Sequence, residues 1–188
     1  MKKDSPENKN NYHWTTRSMV LVPLLTALLA ILSQMAIPVG PIPVTLQTLA
    51  VGLIASITPI YISTSTVALY LALGAFGLPV FAGGKGGFAV LFGPTGGYLW
   101  SFLLMAALIG LFVQINRKIP VLIFANIWAM LLNLLLGMIW LMVSNNIDFG
   151  QGLTVGFVPF IIPGIIKIAI IVPIANILLN MNNCQLYK

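Results

Sequence analysis

Residues 154–179 read TVGFVPFIIPGIIKIAIIVPIANILL, an apolar run that carries a single charge, Lys167. A helix needs about 20 mainly apolar residues to cross the hydrocarbon core of a bilayer, and this run is long enough. Five further apolar runs precede it, separated by short links with proline or glycine. The sequence therefore predicts an all-α integral membrane protein with six transmembrane helices, at residues 17–37, 43–58, 62–78, 96–115, 119–143 and 154–179.

The composition supports this class. Of 188 residues, 59% are hydrophobic and only 6% are charged, whereas a soluble domain carries about 25% charged residues. The first apolar run lacks a small-residue cleavage site, so we expect it to remain as a span. The predicted organisation is an N-terminal tail (1–16), one transmembrane domain (17–180) and a C-terminal tail (181–188).

Basic residues predict the orientation, because they collect in cytoplasmic loops and tails. They precede the first span and also lie between the fourth and fifth spans, which puts both termini in the cytoplasm of a protein of the plasma membrane. The net charge of +6 does not indicate nucleic-acid binding, since these residues form no basic face. The residues that carry this prediction are Lys2, Lys3, Lys9, Arg17, Arg117, Lys118 and Lys188.

Lys167 is the charge that topology does not explain. It lies thirteen residues into the sixth predicted span, at about 1.5 Å per residue, and an unpaired ammonium at that depth costs several kcal/mol. The acidic residues of the chain are Asp4, Glu7 and Asp148, all outside the predicted spans. We therefore expect an anionic ligand from outside to pair with Lys167. A neutral lysine, or one paired with lipid phosphate, is the alternative.

Proline and glycine precede this lysine by one turn, at Pro163 and Gly164. Glycine permits a ligand to approach the backbone closely, and irregular backbone at this depth is tolerated where it lines a cavity. A proline kink packed against neighbouring helices is an equally good explanation of the pair.

The outward loop between the third and fourth spans contains FAGGKGGFAVLFGPTGGY, residues 81–98. It is not a nucleotide-binding P-loop, because Pro79 and Gly86 stand where that pattern requires glycine and a hydroxyl. Its apolar residues, such as Phe81, argue against a mobile polar linker. We predict a lid that covers the outer mouth of a binding site and presents backbone amides to the ligand, although Lys85 alone is also compatible with a solvated loop.

Polar groups within the spans add candidates. Thr45, Gln47 and Thr48 open the second span, and Gln47 offers amide donors and an acceptor to a ligand. Asn126 and Asn133 lie seven residues apart in the fifth span, and interhelical hydrogen bonds are the favoured explanation for both.

The run Gly77–Tyr98 closely resembles the signature of the BioY family, the biotin-binding S-components of energy-coupling-factor (ECF) transporters. The resemblance extends to IPVGPIPVTLQTLAVGL (37–53), GMIWL (137–141) and VPFIIPGIIK (158–167). It implies the S-component fold, biotin as ligand with no cofactor, and partnership with a transmembrane coupling protein and two cytoplasmic ABC-type ATPases. Many members carry an aspartate three residues before the lysine, where this chain has Gly164.

The resemblance implies that Lys167 neutralises the biotin carboxylate, that the glycine loop and Tyr98 close the pocket, and that Gln47 faces the bicyclic head or shapes its wall. Small residues of the first helix, Thr26 and Ala30, would dock on the coupling protein. The full predicted ligand-binding set is Thr45, Gln47, Phe81, Gly83, Gly84, Lys85, Gly86, Gly87, Thr95, Gly96, Gly97, Tyr98, Asn133, Gly164 and Lys167.

Two other function classes fit less well. An ion-coupled or facilitative transporter of another small organic anion is the alternative, but ion coupling usually uses carboxylates within the membrane, and the predicted spans contain none. An enzyme is not expected, because the only histidine is His13 in the tail and no cluster of metal ligands occurs.

Overall fold

The computed structural model describes residues 15–38 and 42–181. Helices dominate this part: α1 Thr16–Ser33, α2 Gln47–Ile57, α3 Ile60–Ala75, α4 Phe88–Phe92, α5 Gly96–Ile115, α6 Ile119–Asn145, α7 Phe149–Gly152 and α8 Val158–Met181. A π-helical segment, Leu153–Phe157, joins α7 to α8. The predicted tails lie outside the described residues except for Thr15, Thr16 and Met181, and His13 lies outside them too.

Four helical stretches of the described part are long and apolar enough to cross a membrane: α1, α5, α6 and the continuous stretch Phe149–Met181. The apolar helices α2 and α3 are shorter, with 11 and 16 residues. Large apolar side chains cover the outside of the bundle; Ile31, Ile115 and Val143 are 67%, 83% and 74% exposed. Water would disfavour such a surface, whereas lipid tails accommodate it.

The link between α1 and α2 differs from the prediction, which extended the first span to residue 37 and began the second at 43. Two short strands, β1 (Ala36–Ile37) and β2 (Val44–Thr45), pair antiparallel there, with Ala36 opposite Thr45. Prolines at positions 38 and 43 explain this, because proline disfavours helical backbone in the residue before it and cannot continue a helix. The chain is thus mostly helical rather than purely helical.

The buried core lies where α2, α3 and α5 meet. Val51, Tyr70 and Phe102 are at most 2% exposed and belong to one cluster. Helix α5 also packs along α6, α1 packs against α3, and α2 packs against α8. These pairings leave a space between α2, α5, α6 and α8, and that space is the candidate site.

The predicted docking residue Thr26 requires a correction. Its side chain is 2% exposed, and its hydroxyl lies 2.8 Å from the Val22 carbonyl and 3.2 Å from the Thr66 carbonyl of α3. Because the side chain is buried and its hydroxyl reaches the Thr66 carbonyl, Thr26 faces α3 and not the outer surface of α1. Ala30 is half-buried and packs against the core.

Candidate ligand-binding site

A cavity of about 140 Å³ lies between α2, α5, α6 and α8. One water needs roughly 10–15 Å³ by this measure, so the space can take a small organic molecule. The glycine-rich segment, residues 76–95 between α3 and α5, contributes to the wall. Nine residues of the predicted set line the cavity: Thr45, Gln47, Phe81, Lys85, Thr95, Tyr98, Asn133, Gly164 and Lys167.

Lys167 reaches the cavity from the middle of α8. Its ammonium donates hydrogen bonds to the Thr45 carbonyl at 2.6 Å and to the Thr48 hydroxyl at 2.7 Å. The Thr45 carbonyl is available because it precedes the first backbone bond of α2, from Ala50 to Leu46. The ammonium is therefore positioned by two oxygens, but both are neutral.

The cavity is electrostatically positive. Lys167 and Lys85 both line it, whereas the only carboxylate side chain within residues 15–38 and 42–181, that of Asp148, does not. Asp148 instead caps α7 by accepting the Gln151 amide at 3.1 Å. The described part of the chain thus supplies no negative charge to the wall, and an anionic group placed there would be attracted by both lysines.

Gln47 belongs to a buried polar chain beside the cavity. Its amide nitrogen donates to the Tyr70 hydroxyl at 2.6 Å, and that hydroxyl donates to the Val80 carbonyl at 2.9 Å. On the other side, the Thr45 hydroxyl donates to the Gln47 amide oxygen at 2.9 Å. These bonds connect α2 and α3 to the glycine-rich segment, so the wall near Gln47 is held in one geometry.

Tyr98 and Asn133 form another part of the cavity wall. The Tyr98 hydroxyl donates to the Gly156 carbonyl at 2.6 Å, which ties α5 to the π-helical segment. The Asn133 amide donates to the Tyr98 carbonyl at 3.1 Å and to the Ser101 hydroxyl at 2.6 Å. The interhelical bond predicted for Asn133 is thus confirmed, and its role toward a ligand stays a prediction.

The glycine-rich segment is folded against the bundle by Phe81. This ring is 1% exposed and meets Tyr70 edge to face at 5.4 Å between centroids. It also occupies the space next to Gly74, where any side chain would overlap it. A tight turn follows, closed by the bond from the Phe81 amide to the Lys85 carbonyl at 2.9 Å. The turn places Lys85, itself exposed to solvent, at the rim of the cavity.

Six predicted glycines do not line the cavity: Gly83, Gly84, Gly86, Gly87, Gly96 and Gly97. Amides that were expected to face a ligand are used within the protein; that of Gly84 donates to Phe81 at 3.1 Å and that of Gly87 to Gly74 at 2.6 Å. Gly97 allows close packing of α5 on α6, because a methyl group there would overlap Trp140. These glycines shape the wall, and direct ligand contact by them stays a prediction.

Sequence reasoning missed several residues of the site. Thr48 was noted only as opening a span, and Tyr70 was not noticed, although a tyrosine within an apolar helix is a polar group that needs a partner. Met130 and Phe160 line the cavity, and no sequence signal distinguishes them from lipid-facing residues. Asn126 was assigned to interhelical hydrogen bonding, which its bond to Ser56 of α2 confirms, but it also lines the cavity.

The sequence profile of the BioY family matches residues 4–183. The chain belongs to the BioY family. It is similar to the "Biotin transporter BioY2" of Lactococcus lactis subsp. cremoris, with 47% identity over 86% of this chain and 89% of that protein. It is also similar to the "Biotin transporter BioY" of Thermotoga maritima, with 38% identity over 85% and 94% of the two chains.

A solved BioY-like structure has the same fold. It is described as the "S-component for biotin from an ECF-type ABC transporter" and superposes with a TM-score of 0.79 at 28% identity, over 87% of this chain and 93% of that chain. Together with the apolar helices, these similarities establish a multi-pass membrane protein of the transporter S-component type.

Gly164, one turn before Lys167 on α8, lies against the Met130 side chain of α6. A methyl group at Gly164 would overlap the Met130 sulfur of α6. The missing side chain therefore lets α8 approach α6, and no acid takes its place beside Lys167 among the described residues. The acceptors of the Lys167 ammonium are instead the neutral oxygens of Thr45 and Thr48.

Proposed function

We propose that this BioY chain is the biotin-binding subunit of an ECF-type transporter of the plasma membrane, and not an enzyme. Its family, its relatives named as biotin transporters and its structural neighbour support this function. In this proposal the shorter apolar helices α2 and α3, together with the residues that flank them, complete a domain of six membrane helices with the four longer stretches, and both termini lie in the cytoplasm.

The observation that carries the proposal is the Lys167 ammonium on the cavity wall, held by neutral oxygens only. Burying a cation without a counter-charge costs several kcal/mol, and attraction to a carboxylate in the same surroundings offsets that cost. Biotin brings one carboxylate, which would replace water and share the ammonium with Thr45 and Thr48. In this proposal Lys167 binds the carboxylate, and Lys85 at the rim attracts it during entry.

The remaining wall suits the rest of biotin. Its ring system and aliphatic chain are apolar, and most ligand cavities combine apolar walls with a few placed polar groups. Phe81 and Tyr98 supply apolar surface, while Gln47 and Asn133 retain hydrogen-bonding capacity for the ureido head. Thr95 and Gly164 also line the cavity.

The glycine-rich segment acts as a lid in this proposal. The buried Phe81 ring fixes one end of it. The turn that follows contains Gly83 and Gly84, whose φ angles are +70° and +71°, a backbone conformation that residues with side chains rarely adopt. Opening at the Lys85 turn would admit biotin, and closure would exclude water. Gly86 and Gly96 let the segment pack on its own backbone, because a methyl group there would overlap the carbonyls of Leu78 and Leu91. Gly87 has a φ of +94°, and Gly97 lets α5 lie close to α6 at Trp140.

An ECF-type transporter uses ATP, and because the sequence of this chain lacks a P-loop, partner subunits would hydrolyse it. We propose that a transmembrane coupling protein and two cytoplasmic ABC-type ATPases bind this subunit within the lipid bilayer and drive release of biotin inward. With Thr26 turned toward α3, the lipid-facing side of α1, which includes Leu24, Leu28 and Ile31, is the surface left on that helix for the coupling protein.

Binding of radiolabelled biotin to the purified chain in lipid nanodiscs tests the proposal. We expect saturable binding with about one biotin per chain, displaced by unlabelled biotin. Binding that remains linear up to micromolar biotin, with the protein shown to be folded by its thermal transition, would refute it. Displacement by unrelated small organic anions with equal potency would favour the alternative, a transporter of another anion.

A further inference from the structure

One polar atom of a cavity-lining residue, Asn126 Oδ1, lacks a hydrogen-bond partner among the described residues. Asn126 of α6 is 1% exposed and lines the cavity, and its side-chain oxygen Oδ1 accepts no hydrogen bond from the described part of the chain. A buried acceptor without a donor is unfavourable, and native proteins pair the great majority of such groups. An unpaired acceptor in a cavity wall therefore points to a donor that comes from elsewhere.

The orientation of this amide is set by its other contacts. Asn126 Nδ2 donates to the Leu122 carbonyl at 2.9 Å and to the Ser56 hydroxyl at 3.0 Å. Exchanging the oxygen and nitrogen would bring Oδ1 against the Leu122 carbonyl, and two acceptors would then face each other. The contact with Ser56 does not distinguish the two orientations, because a hydroxyl can both donate and accept a hydrogen bond. Leu122 therefore fixes Oδ1 as the unpaired atom.

The position of Oδ1 follows from the parallel course of α2 and α8. Lys167 contacts Thr48, and one turn later on both helices Ile171 lies beside Gly52. A methyl group at Gly52 would stand 2.7 Å from Ile171 Cδ1 and 2.9 Å from Asn126 Oδ1. The oxygen thus lies about one helical turn, roughly 5 Å, beyond the lysine contact along both helices.

We propose that Asn126 Oδ1 accepts a hydrogen bond from an N–H group of the bound ligand. The inference rests on the proposed function, and the donor is one of the two ureido N–H groups of biotin. Met105 and Ile171 line the cavity next to this oxygen, and the flexible methionine can move aside to admit the donor. Lys167 and Asn126 then impose two separate requirements, one for an anion and one for a neutral donor.

The experiment compares biotin with two isosteric analogues, each with one ureido N–H replaced by oxygen, on the wild-type chain and on two variants. Asn126→Leu removes the acceptor at similar size. Asn126→Ser shortens the side chain and so withdraws the acceptor from the position of Oδ1, and its hydroxyl can donate to the Leu122 carbonyl, as Thr58 does to Ile54. The matched control is Ser56→Ala, which removes an amide partner and leaves Oδ1 in place.

One analogue should bind wild type about tenfold more weakly than biotin, the typical effect of one hydrogen bond to a buried group. Either Asn126 variant should lose most of that preference, and Ser56→Ala should keep it. Equal binding of biotin and both analogues by wild type would overturn the inference and leave a buried water as the donor. A preference that persists in a folded Asn126 variant would overturn it as well. Failure of wild type to bind biotin at all would instead refute the proposed function.

Discussion

Gly137→Ala tests whether the Tyr98 wall is built as the structure describes. A methyl group at Gly137 would overlap the Tyr98 ring, so the ring must withdraw. Its hydroxyl would then lose the 2.6 Å bond to the Gly156 carbonyl. Overpacking costs about 1–3 kcal/mol and the hydrogen bond contributes about 0.5–1.5 kcal/mol. We therefore expect the variant to lose about 1.5–4.5 kcal/mol of stability.

The assay is thermal unfolding of the purified protein, followed by tryptophan fluorescence, together with biotin affinity. Gly150→Ala is the matched control, because a methyl group there meets only Asp148 Oδ2 at 3.5 Å, an ordinary contact. Tyr98→Phe removes the hydroxyl and keeps the ring, so it should lose only the hydrogen-bond part. The Gly137 variant should also bind biotin more weakly, since Tyr98 lines the cavity.

A Gly137→Ala protein that unfolds at the temperature of Gly150→Ala, with unchanged biotin affinity, would refute this reasoning. The ring would then have room to move without effect on the wall, and Tyr98 could not be a fixed part of the site.

Three further predictions concern other parts of the site. Lys85→Met should weaken biotin binding less than Lys167→Met, because Lys85 is exposed and water screens its charge; equal losses in a titration would contradict this. Tyr70→Phe should lower the unfolding temperature and weaken biotin binding, because Gln47 loses the acceptor at 2.6 Å; unchanged binding would show that the polar chain does not shape the wall. Thr26→Val should lower the unfolding temperature without impairing co-purification with the coupling protein. Loss of that complex in a folded variant would show that Thr26 takes part in docking.

Helix bounds were predicted most accurately where glycine or polar link residues flank the helix. The predicted span 96–115 coincides with α5, which lies between a glycine pair and the Asn116 link, and 119–143 differs from α6 only at its end. The pairing of β1 with β2 was missed, because it depends on contacts across a link whose residues look like helix ends. Hydropathy also cannot separate α7, the π-helical segment and α8, since they form one apolar run.

The site was predictable where a polar residue interrupts an apolar span. Lys167 and Gln47 were found in this way, because polar and charged residues are costly within a membrane helix and usually have a functional role there. Apolar residues of the wall, such as Phe160, were not found, since core-facing and lipid-facing positions are equally apolar in a membrane protein. Ligand contact by the glycines stays a prediction, and the sequence could not show which of their amides are already used, as that of Gly87 is by Gly74.

The charge requirement at Lys167 is tested most directly by measuring dissociation constants of biotin and of its neutral amide on wild type and on Lys167→Met. Removing one partner of a buried charge pair costs about 2–5 kcal/mol, so the variant should bind biotin at least about thirtyfold more weakly and bind the amide almost as wild type does. An equal loss for the acid and the amide, or no loss for either, would contradict the account.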